Sequence, residues 1–144
     1  MRIPNIGSKR GVLGAALYAG TEHCVRKDRN RTIRSALFGF LFFGPTCQFY
    51  YPFTQRYIRT KLGRGLVDQT VWSYAWNTSY ILTHNIHTRK VKTCLMQGVD
   101  ATVKGWTVWP LVHLVTYTKI PVNWRAAWIL SWDFLWINYM ARRN

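Results

Sequence analysis

Residues 35–53 read SALFGFLFFGPTCQFYYPF, a run without a single charge. A bilayer core of ~30 Å needs about 20 apolar residues in a helix, so this run reads as a membrane span, placed at Ile33 to about Phe53. Pro45 lacks an N–H and leaves a carbonyl one turn back unpaired, which predicts a kink near Gly44. A broken backbone survives in lipid only where neighbouring helices or water complete its hydrogen bonds, so the kink belongs inside a bundle. Pro52 and the cationic run Arg56 to Arg64 are expected to end the span.

The 144-residue chain around this run fits one domain, 1–144, and carries 20 Lys and Arg against 5 Asp and Glu, a net charge of +15, with 49% hydrophobic and 16% aromatic residues. Such a chain is either a nucleic-acid binder or a polytopic membrane protein. Distribution decides. The basic residues gather at 9–10, 26–34, 56–64, 89–92 and 142–143, between segments with few charges, which is a membrane layout and removes nucleic acid as a partner. The surplus requires anionic partners, and phospholipid headgroups, cardiolipin in particular, supply them. Cys24, Cys47 and Cys94 are odd in number and lack C-x-x-C spacing, so neither a disulfide framework nor a zinc knuckle is indicated. The start, MRIPNIGSKRGVLGAALYAG, mimics a presequence, but is read as an uncleaved first span with both chain ends tied down.

The fold expected is an all-α membrane bundle of four principal segments, about 9–25, 33–53, 66–82 and 103–140. In the first, Gly11, Ala15 and Ala19 recur every fourth residue and permit a close helix approach. The third carries Asp68, Gln69, Thr70, Ser73, Asn77, Thr78 and Ser79, which must face other helices or a wet cavity. Residues 83–102 either extend that helix or lie along the surface. The last region is broken near Pro110 and Pro121. On its final helix Trp124, Trp128, Trp132 and Trp136 recur every fourth position and are expected to form one outer face toward lipid or a partner. Asp133 lies roughly 120° from that face and is placed in the interior, hydrogen-bonded to Ser73, Asn77 or Thr78.

A longer pattern joins these parts. WTVWPLVHLVTYTKIPVNWR, residues 106–125, with Trp136 eleven positions on, resembles W-x-x-W-P-x-x-Q-x-x-N-F-x-x-V-P-x-x-x-R, the closing motif of a family of small membrane proteins named for Mpv-seventeen and the twenty-two-kilodalton peroxisomal membrane protein. Trp106, Trp109, Pro110, Pro121 and Arg125 match it, while His113, Thr116, Tyr117 and Ile120 replace its Gln, Asn, Phe and Val. Upstream, Arg31 to Arg34, Gly39, Gly44-Pro45, Tyr50 or Tyr51, and Asp68-Gln69 match as well; Glu22 stands beside the position of the family's first-span Gly-Asp. The resemblance implies membrane residence in the mitochondrial inner membrane or the peroxisomal membrane, and solute conduction as proposed for some members.

No catalytic constellation is present, so the chain is read as non-enzymatic. His84 and His87 with Cys94 do not complete a four-ligand set, and neither a metal nor another cofactor is expected beyond bound phospholipid. The role expected is a structural accessory subunit of a respiratory-chain or ATP synthase assembly, held to other membrane subunits by the Trp face. The alternative is a stand-alone, weakly selective solute channel lined by Asp133, Asp68, Gln69 and His113.

Overall fold

Asp28 opens the longest helical stretch: its carboxylate accepts from the backbone N–H groups of Asn30 at 2.8 Å and Arg31 at 3.1 Å, capping α2. A computed structural model describes residues 9–143. The expectations for the leader and for the chain ends fall on residues 1–8 and 144, outside that range. Among the described residues the chain is all helix, with no strand. The helices are α1 Lys9–Arg26, α2 Arg29–Phe38, α3 Tyr51–Tyr57, α4 Lys61–Val67, α5 Ser73–Asn85, α6 Val91–Gly105, α7 Trp109–Thr118 and α8 Val122–Arg143.

At Pro45, where a kink is expected, wide π turns at Gly39–Phe43 and Thr46–Tyr50 flank the proline and residues 29–57 stay helical through them. The Thr46 hydroxyl also donates to the Phe42 carbonyl at 2.6 Å within this distorted region. Pro52 does not end the rod: α3, which holds it, follows directly on the second wide turn, and the helix runs on to Tyr57. A third π turn, Asp68–Trp72, joins α4 to α5 and makes residues 61–85 a second rod, begun by the Thr60 hydroxyl accepting from Gly63 N–H at 3.1 Å.

Residues 83–102 take neither expected form. The chain turns at 86–90 and returns as α6, antiparallel to α5, with Asn77 bonded to Thr102 and Gly98 pressed against Thr78. Helix α1 packs along α2 and its π turn. A Cβ on Gly14 would stand 2.6 Å from the Gly39 carbonyl oxygen, and one on Gly39 would strike the Gly14 backbone. The close approach therefore runs through Gly14 and Gly39, with Gly11 buried and Ala15 and Ala19 half-buried along the same helix. Gly39→Val should destabilise the fold by about 1–3 kcal/mol through overpacking, read as a lowered Tm in detergent.

The main apolar core draws Tyr18, Phe38, Tyr80, Ile81, Cys94, Ala101, Ile137 and Met140 from α1, α2, α5, α6 and α8. A second cluster sets Trp109 and Val112 of α7 against Ile129 of α8. Polar side chains are buried in the same interior, while large aliphatic ones cover the outside. No helix among the described residues is long and apolar enough to cross a membrane. The two rods are longer than their constituent α-helices because they continue through the π turns.

Candidate functional site

The π turn at Asp68–Trp72 buries two consecutive polar side chains, Asp68 and Gln69, against a cavity of about 60 Å³ in the middle of the bundle. Ser73, Trp76 and Asn77 of α5, Trp109 and His113 of α7, Asp133 and Trp136 of α8, and Phe43 and Thr46 of rod 29–57 complete its wall. The cavity thus gathers Asp68, Gln69, His113 and Asp133. A water needs roughly 10–15 Å³ of such volume, so the space suits a few waters or one small solute.

Asp68 is held by two hydroxyls, with an imidazole beside it. Tyr50 and Tyr117 donate their hydroxyls to it, the latter at 2.6 Å, and His113 Nδ1 lies 3.5 Å away. His113 and Tyr117 are two of the positions where the chain departs from the family pattern, and both face the pattern's own Asp. Arg125 explains its place in the motif: its Nε donates to the Ile120 carbonyl at 3.1 Å while its guanidinium lies 5.6 Å from the Tyr117 ring centre. That cation steadies the ring whose hydroxyl reaches Asp68.

The rest of the cavity is less satisfied. Both amide atoms of Gln69 are buried without a partner, although its backbone carbonyl accepts from Trp106 Nε1 at 2.8 Å. Trp136 Nε1 donates to Asn77 Oδ1 at 3.0 Å, and Asn77 Nδ2 reaches both Ser73 Oγ and Thr102 Oγ1 at 3.3 Å. Asp133 is buried beside this network, but no hydrogen bond to its carboxyl from Ser73, Asn77 or Thr78 is formed. It opens into the cavity instead of pairing with the third span as expected.

The remaining motif residues shape the scaffold. Pro110 lies in the first turn of α7, Pro121 precedes α8, and Gly44 and Pro45 connect the π turns of rod 29–57. The four tryptophans of α8 do not form one outward face. Trp124 alone is exposed; Trp128 and Trp132 pack against the Trp109 cluster, and Trp136 reaches the cavity. A spacing of four residues drifts about 40° per step, so three steps carry the stripe from the outside to the interior.

A second polar cluster was not legible as a unit. Glu22 is fully buried at one end of the bundle, paired to Arg31 Nε at 2.5 Å and accepting from Tyr80 OH at 2.7 Å. Ser35 Oγ lies 3.0 Å from His84 Nε2. No group of three or more His, Cys, Asp or Glu side chains suited to a metal occurs among the described residues.

No family model matches the chain, and no solved structure gives a significant match. Curated proteins do match at the level of sequence. "Peroxisomal membrane protein 2" of Bos taurus is 26% identical over 131 residues, covering 83% of this chain and 67% of that protein. "Protein sym-1" of Neurospora crassa is 25% identical over 126 residues, covering 81% of this chain and 73% of that protein. Both of these distant homologues belong to the Mpv-seventeen and peroxisomal-membrane-protein-twenty-two family.

Proposed function

We propose that the chain is a non-enzymatic, polytopic bundle in an organellar membrane, and that its central cavity lies on a path for small polar solutes. The observation that carries the proposal is the inversion of the usual burial pattern. Val71 and Leu114 are 69% and 60% exposed, whereas Asp68 and Asp133 are 3% and 7% exposed. A domain in water places such residues the other way round. In lipid, ionisable side chains turn toward the bundle or a wet cavity.

Length supports the same reading. Residues 29–57 extend ~43 Å, residues 61–85 ~37 Å and α8 ~33 Å at 1.5 Å per residue, against a hydrocarbon core of ~30 Å. The π turns that divide the rods lie beside the cavity, where distorted backbone is shielded from lipid. Gln69 supplies amide atoms not satisfied by protein partners and Asp133 a carboxyl in the same wall, as a water-filled or solute-filled passage requires. The charge of +15 favours the anionic mitochondrial inner membrane as the location; the name of the bovine relative favours the peroxisomal membrane.

The accessory-subunit reading keeps one observation, the exposed indole of Trp124, which suits an interface with another membrane subunit. Liposomes containing the purified chain separate the two readings. Release of small polar solutes, with larger ones retained, is the expected result. No release at any size, together with native-gel migration in a large assembly that Trp124→Ala disrupts, would replace the solute path with the accessory role.

A further inference from the structure

A groove of about 540 Å³ runs between α8 and the turn from α6 to α7. Val108, Trp109, Trp132, Leu135, Trp136 and Tyr139 give it an apolar lining, and Lys104 stands at its edge. Trp109 and Trp136 separate it from the central cavity, since they contribute to the walls of both. The volume falls within the usual range of roughly 300–1,000 Å³ for small-molecule sites.

We propose that this groove holds an acyl chain of one anionic phospholipid, with its headgroup on Lys104 and Arg143. Charge indicates the headgroup. Lys104 Nζ lies 2.5 Å from Asp100 Oδ2, and Arg143 Nη1 lies 3.8 Å from the same oxygen. One carboxylate thus faces two cations, so the end of the groove retains positive charge that a phosphodiester complements. Arg143 also donates to Tyr139 OH at 2.6 Å, joining the cationic end to the apolar lining.

Length indicates the tail. From Trp132 to Arg143 α8 rises ~16 Å, about half of the ~30 Å core and therefore one leaflet. Lys104 lies on α6 with its side chain directed toward the helix N-terminus, the direction that carries its ammonium to Asp100. A lipid of that leaflet would run along the groove with its phosphate level with these cations. The inference rests on the membrane placement proposed above and is independent of solute passage.

Native mass spectrometry of the full chain in neutral detergent tests it, with phosphatidylglycerol and phosphatidylcholine of identical acyl chains supplied together. On the order of tenfold preferential retention of phosphatidylglycerol is expected, the two cations outweighing Asp100. The double variant Lys104→Gln, Arg143→Gln should bring the ratio near one. Leu135→Trp, which narrows the groove from an exposed position, should reduce retention of both lipids. An unchanged preference in the double variant, or unchanged retention in Leu135→Trp, would overturn the assignment. So would a dimer peak abolished by Leu135→Trp, because it would give the groove to a second copy of the chain.

Discussion

Glu22→Leu should destabilise the bundle by about 3–5 kcal/mol, a large part of the roughly 5–15 kcal/mol typical of a folded domain. The wild-type carboxylate is fully buried, paired with Arg31 and bonded to Tyr80 OH. Removing it leaves the Arg31 cation and a phenol unmatched at the junction of α1, α2 and α5. Arg31 Nη2 is already buried without a hydrogen-bond partner. Glu22→Gln keeps both shape and acceptor and should cost less. The double variant Glu22→Leu, Arg31→Met removes both charges and should recover much of the loss. Thermal unfolding in detergent distinguishes these outcomes; a cost below about 1 kcal/mol for Glu22→Leu would mean that the pair contributes little.

Asp133→Leu should act in the opposite way on stability while eliminating solute release. The carboxyl is buried and makes no hydrogen bond to the α5 polar residues, so an apolar side chain leaves no partner of that kind stranded. Replacing an unmatched buried polar group removes a cost of roughly 1–3 kcal/mol. The chain should therefore fold at least as well as wild type. The cavity would lose its acidic wall and part of its water, and release from liposomes should fall at least tenfold. Asp133→Asn should retain intermediate release, since it keeps a hydrogen-bonding group at the same place. Strong destabilisation by Asp133→Leu would show instead that Asp133 is a structural partner.

These two acids show what spacing along a chain reveals. Asp133 was legible because one carboxyl within WILSWDFLWINYM must face inward, and the 100° advance per residue sets its direction. The same advance spreads the tryptophans over more than one face. Their fourfold recurrence looks like a stripe over one turn, but its drift brings Trp136 to the cavity and leaves Trp124 outside. Asp68, Gln69 and His113 were marked by polarity in apolar surroundings, whereas the convergence of Tyr50 and Tyr117 on Asp68 depends on distances across helices that no local pattern encodes. The Glu22–Arg31 pair was hidden for the same reason: it exists because the turn at 27–28 folds α1 back along α2. Pro45 announced a kink and Pro52 an end to the span, whereas the wide turns beside them carry the rod on to Tyr57.

Thiol reactivity tests the central arrangement, apolar side chains in lipid around a wet polar interior. In liposomes, with Cys24, Cys47 and Cys94 replaced by Ala, single cysteines at Ser73 and Leu114 would be exposed to a small cationic methanethiosulfonate. Ser73 lines the cavity; Leu114 follows the cavity residue His113 but points outward and is 60% exposed. In the proposed membrane setting Ser73→Cys reacts and Leu114→Cys does not, because a thiol in hydrocarbon neither ionises nor meets the reagent. Rapid reaction at Leu114→Cys, with Ser73→Cys protected, would place the outer surface in water and contradict the bundle described here.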